Sequence, residues 1–338
     1  MIHGHGDDSY GYSRKTDVNF SSNVCPEIDH NGLERHLAKS FSLINSYPEP
    51  DGGSLASILS RQSGINENEI VVTNGATEAI YLTANAFHDK TSAILSPTFS
   101  EYGDACSLFR HNVRYIESLD EVEENDEIIW LCNPNNPTGS VIEKGKLEKI
   151  IKKHNNKIFI IDLSYSSFSR LQQISSKEVC SYPNVIAIHS LTKKYSIPGL
   201  RLGYLVANNT LTSKVNACRM PWSVNALAIE AGKYLMGLKE PLFDLDRLLD
   251  ETNRFREELN KITGITAFPT DTHFFLCQTG CGTASELKRY LIEKHGLLIR
   301  DASNFYGLDN NCFRVATQLK EENDRLINAI KYWKRQYI

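Results

Sequence analysis

Seven short runs of apolar and β-branched residues, almost free of polar alternation, set the tightest limit on what this chain can fold into. They are "EIVVTNG" (69–75), "SAILSP" (92–97), "NVRYIES" (112–118), "EIIWLCNP" (127–134), "KIFIIDLSY" (157–165), "VIAIHS" (185–190) and "GLRLGYLVAN" (199–208). A strand that alternates apolar and polar residues keeps one wet face, whereas one that is apolar throughout is covered on both. The first run turns directly into "ATEAIYLTANAF", whose apolar residues recur at helical spacing, and "KGKLEKIIKKH" (144–154) places another helix between two strands. The alternation predicts an α/β fold: a mostly parallel sheet with helices on both faces, three layers in all.

The character changes after Asn208. "EPLFDLDRLLDETNRFREELNKI" (240–262) reads as one long amphipathic helix, followed by strand-like "ITAFP", "HFFLCQ", "GLLIR" and "CFRVAT", a helical "ASELKRYLIEKH" and a charged final helix. This predicts a smaller α+β domain. We place the large domain at 45–235 and the smaller one at 236–338 with an N-terminal arm over 1–44; no internal repeat or low-complexity segment interrupts either.

Composition narrows the partners. The chain has 338 residues, enough for about two domains, and a formal net charge of −4 without a long basic cluster. Neither a nucleic-acid footprint nor a polybasic membrane patch is expected, so the partner is a small molecule. "MIHGHGDDSYGY" lacks the basic-then-apolar order of a signal peptide and no apolar run reaches membrane-spanning length, so a cytoplasmic location is expected. The eight cysteines are scattered; Cys277 and Cys281 are close, but no second Cys/His pair at zinc spacing joins them, so buried free thiols and no metal site are expected.

Chemically loaded residues fall just after strand ends, where open α/β sheets bind ligands. In "TNGATEA", Gly75, Ala76 and Thr77 enter a helix whose first N–H groups suit a phosphate or an ordinary cap. "NPNNPTG" (133–139) is a turn that offers Asn136 to the same edge. "IIDLSY" ends a strand on Asp162 with Tyr165 three residues later, and "HSLTKKYSIPGLRLGY" (189–204) sets Lys193 and Lys194 before Arg201.

Taken together and in this order, Ser190, Thr192, Lys193 and Arg201 with "TNGATEA", "NPNNPTG" and "IIDLSY" resemble the fold-type I pyridoxal-phosphate enzymes, specifically the class I/II aminotransferase superfamily, over nearly the whole chain. The pattern asks for a hydroxyl residue three before the lysine and an arginine eight after it, which selects Lys193 over Lys194. The resemblance implies that Lys193 forms a Schiff base with pyridoxal 5'-phosphate; an amine attacks an aldehyde only when neutral, and neighbouring positive charge favours that state. It implies a phosphate cup of Arg201, Ser190, Thr192, Gly75, Ala76 and Thr77. Asp162 would keep the ring nitrogen protonated, Asn136 and Tyr165 would hydrogen-bond the ring oxygen, and Phe99 of "SPTFSEY" would stack on the ring. Tyr47 of "NSYPEPDGG" matches a tyrosine that reaches the cofactor phosphate of a neighbouring subunit, which implies a homodimer with shared sites.

The same resemblance assigns substrate contacts. Arg314 in "CFRVAT" matches the arginine that holds an α-carboxylate, with Asn23 beside it, and Arg300 in "GLLIRDASNFYG" matches a reader of phosphate on the substrate side chain; a salt bridge from Arg300 to Asp301 is the alternative. Two branches share these features: histidinol-phosphate aminotransferase and L-threonine-O-3-phosphate decarboxylase of cobalamin biosynthesis. The opening "HGDDSYGY" resembles the second, whose usual His-Gly-Gly here has Asp7 for its second glycine; His5 is the expected substrate contact, with His3 the alternative. Decarboxylation of L-threonine O-3-phosphate to (R)-1-amino-2-propanol O-phosphate is therefore expected first, transamination second, and a catalytically silent cofactor-binding regulator third.

Overall fold

The computed structural model describes residues 7–334. Its centre is a sheet of seven strands: β1 (Ile70–Thr73), β2 (Thr91–Leu95), β3 (Asn112–Ile116), β4 (Ile128–Cys132), β5 (Ile158–Asp162), β6 (Val185–Ser190) and β7 (Gly203–Ala207). Spatial order is β1-β7-β6-β5-β4-β2-β3. All neighbours run parallel except β7, which is antiparallel to both β6 and β1.

The apolar runs have the cause the sequence implies. Along β4, Ile129 and Leu131 enter one hydrophobic cluster while Ile128, Trp130 and Cys132 enter the other; β5 and β6 divide the same way, with Phe159 and Ile161 against Ile160, and Val185 and Ala187 against Ile186 and Ile188. Successive residues of a strand point to opposite faces, so burial of both faces leaves no polar position. Strand β3 differs: it lies at the sheet edge and only Ile116 is buried. Helix α1 (Gly75–Ala86) follows β1, and a single short turn of helix, α2 (Leu191–Lys194), follows β6.

Beyond Asn208 the chain builds a four-stranded antiparallel sheet from β8 (Ile265–Ala267), β9 (Phe274–Thr279), β10 (Arg300–Asp301) and β11 (Cys312–Ala316), in the order β10-β11-β9-β8. Its apolar face packs with helices α3 (Leu245–Asn260), α4 (Ala284–Tyr290) and α5 (Lys320–Lys334) in a third cluster around Phe255, Phe275, Phe313 and Trp333.

Three element boundaries differ from expectation. The long helix begins at Leu245 and not Glu240, because Asp244 caps it by accepting the Arg247 N–H (3.1 Å) and Pro241 precedes the cap. The "ASELKRYLIEKH" helix is α-helical only to Tyr290 and widens into a π turn over Leu291–His295. "GLLIR" divides: Leu297–Leu298 pairs in parallel with Val18–Asn19 near the N-terminus, and Arg300 leaves to pair with β11. All eight cysteines are free thiols, five of them buried. Among the described residues, no helix is long and apolar enough to cross a membrane.

Candidate active site

Strand order reverses between β2 and β4, and the carboxyl ends of the parallel strands open there onto a cavity of about 500 Å3. Cys132 ends β4, Asp162 ends β5 and Ser190 ends β6. Because β7 is antiparallel, it starts at this edge: Gly203 pairs with Ser190 on one side and Thr73 on the other. The residues just before it, including Arg201, are thereby delivered to the same rim. Thirteen expected site residues line the cavity: Asn23, Ala76, Thr77, Phe99, Asn136, Asp162, Tyr165, Ser190, Thr192, Lys193, Arg201, Arg300 and Arg314.

Lys193 projects from α2 as a half-buried residue whose amine pKa falls to about 8, first because desolvation strips it of water and then because Arg314 and Arg201 repel its charge; Asp162 and Asp7 oppose the shift. The sequence reading gave the arginines the leading role, and the structure gives it to desolvation. Asp162, also buried, accepts the Ser164 N–H at Oδ1 (2.8 Å) and the Tyr102 O–H at Oδ2 (2.7 Å). Burial pushes its carboxyl pKa up, while these donors and the charge of Lys193 pull it down. Tyr165 is held up by burial as well, so its phenol stays protonated, and its oxygen accepts from Asn23 Nδ2 (3.4 Å).

The far end of the cavity is a cradle of donors. Ala76 and Thr77 open α1, whose first N–H groups face outward without partners in the helix. Gly75 does not itself line the cavity; its φ of 78° and missing side chain admit Arg201, since a Cβ there would lie 2.8 Å from Arg201 Nη2. Gly203 is more constrained still: a Cβ would stand 2.7 Å from Ala76 N, 2.8 Å from the Gly75 carbonyl carbon and 2.8 Å from His189 O. Arg201 itself holds φ 58° and anchors one arm by donating from Nη1 to Pro198 O (3.2 Å).

Opposite this cradle stand two more arginines. Arg300 and Arg314 are direct cross-strand partners on β10 and β11, and both are buried. Directly opposed side chains lie about 5 Å apart at Cβ, where like charges repel. Arg314 donates from Nη1 to Asn136 Oδ1 and from Nη2 to Ser21 O, both neutral acceptors, while its buried Nε has no partner among the described residues. Arg300 donates from Nη2 to Asn304 Oδ1 (2.8 Å) and sits over the Phe305 ring, 5.1 Å from its centroid. Among the described residues neither has a carboxylate oxygen within 4 Å, so the expected alternative of an Arg300–Asp301 ion pair is not formed. Burial lowers the pKa of each to about 10.

One expected residue is not brought to the cavity of its own chain. Tyr47 is 82% exposed and leans on Trp222, 5.2 Å between centroids, away from the cavity of its own chain. His3 and His5 lie outside the described residues. Conversely, Tyr102, Asp7, Ser21, Cys132 and Phe305 line the cavity unannounced. Tyr102 carried a signal: it stands three residues after Phe99, about one helical turn, at the start of the helix Glu101–Leu108. Asp7, where the resembling branch carries glycine, holds φ 62°, the left-handed region, with its N–H on Ser21 Oγ (3.1 Å) and its Oδ1 on Asn19 Nδ2 (2.7 Å).

The residues fit pyridoxal phosphate. A donor cradle kept open by two glycines suits its phosphate, a buried carboxylate suits its ring nitrogen, and a dehydrated amine suits its aldehyde. At a pKa of about 8, roughly one Lys193 amine in ten is neutral at pH 7, against fewer than about one in a thousand for an ordinary lysine. Attachment of pyridoxal phosphate to cofactor-free protein, trapped by borohydride, should therefore rise with pH to a half-maximal rate near 8. Lys193→Ala should abolish the trapped product and Lys194→Ala should retain it; a midpoint near 10, or attachment at Lys194, contradicts the assignment.

Comparison with known proteins agrees with this geometry. A profile of the class I and II aminotransferases matches residues 15–330. A histidinol-phosphate aminotransferase of Thermoanaerobacter sp. (strain X514) is 33% identical over 96% of this chain and 93% of its own. A threonine-phosphate decarboxylase of Salmonella typhimurium (strain LT2) is 30% identical over 93% of this chain and 90% of its own. The crystal structure of L-threonine-O-3-phosphate decarboxylase from Porphyromonas gingivalis superimposes with a TM-score of 0.92 at 38% identity, covering 94% of this chain and 99% of that one. The chain belongs to the class I and II aminotransferase family and has its pyridoxal-phosphate-dependent α/β fold.

Proposed function

We propose that this protein decarboxylates L-threonine O-3-phosphate to (R)-1-amino-2-propanol O-phosphate and carbon dioxide, the cobalamin-pathway reaction. One observation carries the reading: Arg300 and Arg314 are buried side by side with no carboxylate oxygen within 4 Å among the described residues. Two uncompensated buried cations are costly unless anions arrive to pair them. Threonine phosphate brings two anions at once, an α-carboxylate for Arg314 and a phosphate for Arg300. Histidinol phosphate brings only a phosphate, its carboxyl group being reduced to the phosphorylated alcohol. The likeness to the Porphyromonas gingivalis decarboxylase supports the same choice.

Bound pyridoxal phosphate supplies an electron sink for the pair left when a bond at the substrate's α carbon breaks. The chain does the rest. Arg201, Ser190, Thr192 and the N–H groups of Ala76 and Thr77 would hold the cofactor phosphate, Phe99 would stack on its ring, and Asp162 would pair with its ring nitrogen. Asn136 Oδ1 is occupied by Arg314, which leaves its amide N–H groups, with the Tyr165 O–H, to donate to the ring oxygen. Arg300 fixes the substrate phosphate, so binding energy remote from the reacting carbon can orient the carboxylate beside Arg314 and Asn23 for departure. A proton must replace the lost carbon dioxide on that carbon, and we assign its delivery to Lys193 Nζ, whose pKa is lowered to about 8, with a nearby water as the alternative. His5 is the further substrate contact that the resemblance of the opening segment implies.

A second reading, aminotransfer from histidinol phosphate to a 2-oxo acid, is favoured by the names of several relatives near 30% identity. The two readings separate when threonine phosphate is supplied without any 2-oxo acid. Carbon dioxide should then be released over many turnovers. Release of no carbon dioxide and stalling after one equivalent of keto product, with the cofactor left as its amine until 2-oxoglutarate is added, would move the assignment to aminotransfer, and a protein that binds cofactor but turns over neither substrate would be a silent regulator.

We also propose a homodimer with shared sites. Segments 41–51 and 219–222 are tied by Trp222 N to Pro50 O (3.0 Å) and Arg219 Nη2 to Asp51 O (2.6 Å), and together expose Phe41, Ile44, Tyr47, Met220 and Trp222. A patch of this kind suits a second copy, which would receive Tyr47 at its cofactor phosphate. Heterodimers of Lys193→Ala and Tyr47→Phe subunits should recover activity that both parent proteins lack or lose; no recovery in verified heterodimers would contradict sharing.

A further inference from the structure

Asp162 is the carboxylate that faces the cofactor ring in the reading above, and both of its oxygens already hold a donor. Oδ1 takes the Ser164 backbone N–H (2.8 Å) and Oδ2 takes the Tyr102 O–H (2.7 Å). The first is a consequence of the turn after β5. The second comes from a side chain sixty residues away that is 1% exposed and fixed on both sides: Phe99 meets it edge-on (5.9 Å, 86°) and Trp130 stacks on it (5.9 Å, 24°). Its ring is thus locked with the hydroxyl aimed at one carboxylate oxygen. An ionised carboxylate accepts and cannot donate, so the phenol must be the donor, and burial keeps it protonated.

We propose that Tyr102 is a positioning residue that holds Asp162 ionised and aimed at the ring nitrogen of the cofactor, through the Tyr102 Oη–Asp162 Oδ2 hydrogen bond. Burial alone would drive the carboxyl toward its neutral form, and a neutral carboxyl leaves the ring nitrogen without its counter-charge. A donated hydrogen bond to the charged form opposes this and also stops the carboxylate from rotating. The same tyrosine touches the stacking residue Phe99, so ring face and ring nitrogen are set by one packed unit. The proposal rests on Asp162 facing the ring and is independent of whether decarboxylation or aminotransfer follows.

The test reads the yellow chromophore that Lys193 forms with the cofactor, by absorbance against pH and without substrate. Tyr102→Phe keeps the packing and deletes the donor, so burial drives the carboxyl toward its neutral form and the ring nitrogen loses its proton, which leaves the imine more basic. The chromophore should then hold its proton to higher pH, moving its midpoint up by roughly one unit, the scale of one hydrogen bond to a charged group. Replacing Tyr102 with 3-fluorotyrosine, a stronger donor of the same shape, should move the midpoint the other way, a reversal that a merely structural role does not produce. Should Tyr102→Phe fail to fold, the fluorotyrosine protein carries the test alone. Asp162→Asn is the reference for the carboxylate itself. If Asp162→Asn shifts the midpoint while neither Tyr102 change does, or if fluorotyrosine shifts it upward, the role of Tyr102 is overturned; if none of the three shifts it, the placement of Asp162 at the ring falls as well.

Discussion

The reversal of one strand at Gly203 is the contact on which the site is built. Strand β7 runs against both of its neighbours, so it begins where β1 and β6 end, and its first residue is wedged between Thr73 and Ser190. A side chain at Gly203 would strike the backbone of Gly75, Ala76 and His189. Its absence lets the start of α1, the end of β6 and the Arg201 loop share one small volume. Donors from three elements thereby face one small volume that suits an anion, and Lys193 is carried to the same rim by the helical turn that follows Ser190. Were β7 parallel to its neighbours, Arg201 would enter the sheet at the opposite edge.

Around that cradle the cavity sets four cations, Lys193, Arg201, Arg300 and Arg314, against the carboxyl groups of Asp7, Glu101 and Asp162, and Arg300 and Arg314 are buried. Lys193, Arg300 and Arg314 all lose part of their affinity for a proton to burial, and Arg314 also lies against Lys193 and Arg300 electrostatically. Such a site is poorly matched to neutral ligands. Its neutral acceptors, Asn136, Asn304 and Ser21 O, orient the guanidinium groups without cancelling them. In the proposed reading both ends of the pocket take anions: the cradle of α1 the phosphate of the cofactor, and the cross-strand pair the substrate.

Much of this was legible in the residues. The seven apolar runs mark seven strands because both sheet faces are buried, and the spacing of Ser190 and Arg201 about Lys193 picks one lysine out of two. What stayed hidden depends on pairing between remote segments. Nothing in "GLRLGYLVAN" tells its direction. The splitting of "GLLIR" comes from Val18–Asn19, nearly three hundred residues earlier, and the opposition of Arg300 to Arg314 is a matter of sheet register. Desolvation is equally invisible, which is why neighbouring charge was credited with what burial does at Lys193. Tyr102 was passed over because an aromatic near a helix start reads as core, and its partner Asp162 lies on another strand.

The central claim is that two opposed arginines each hold one anion of one substrate. The most direct measurement is the affinity of cofactor-loaded Lys193→Gln protein, which holds the cofactor without the covalent link, for threonine phosphate, threonine and 1-amino-2-propanol phosphate, repeated with Arg300→Ala and with Arg314→Ala. The account predicts that Arg300→Ala removes the advantage of the phosphate and spares that of the carboxylate, with Arg314→Ala doing the reverse. Each loss should be at least tenfold, since leaving one partner of a desolvated ion pair alone costs about 3–5 kcal/mol. Equal effects of both variants on all three compounds, or equal affinity of the parent protein for threonine and threonine phosphate, would contradict it.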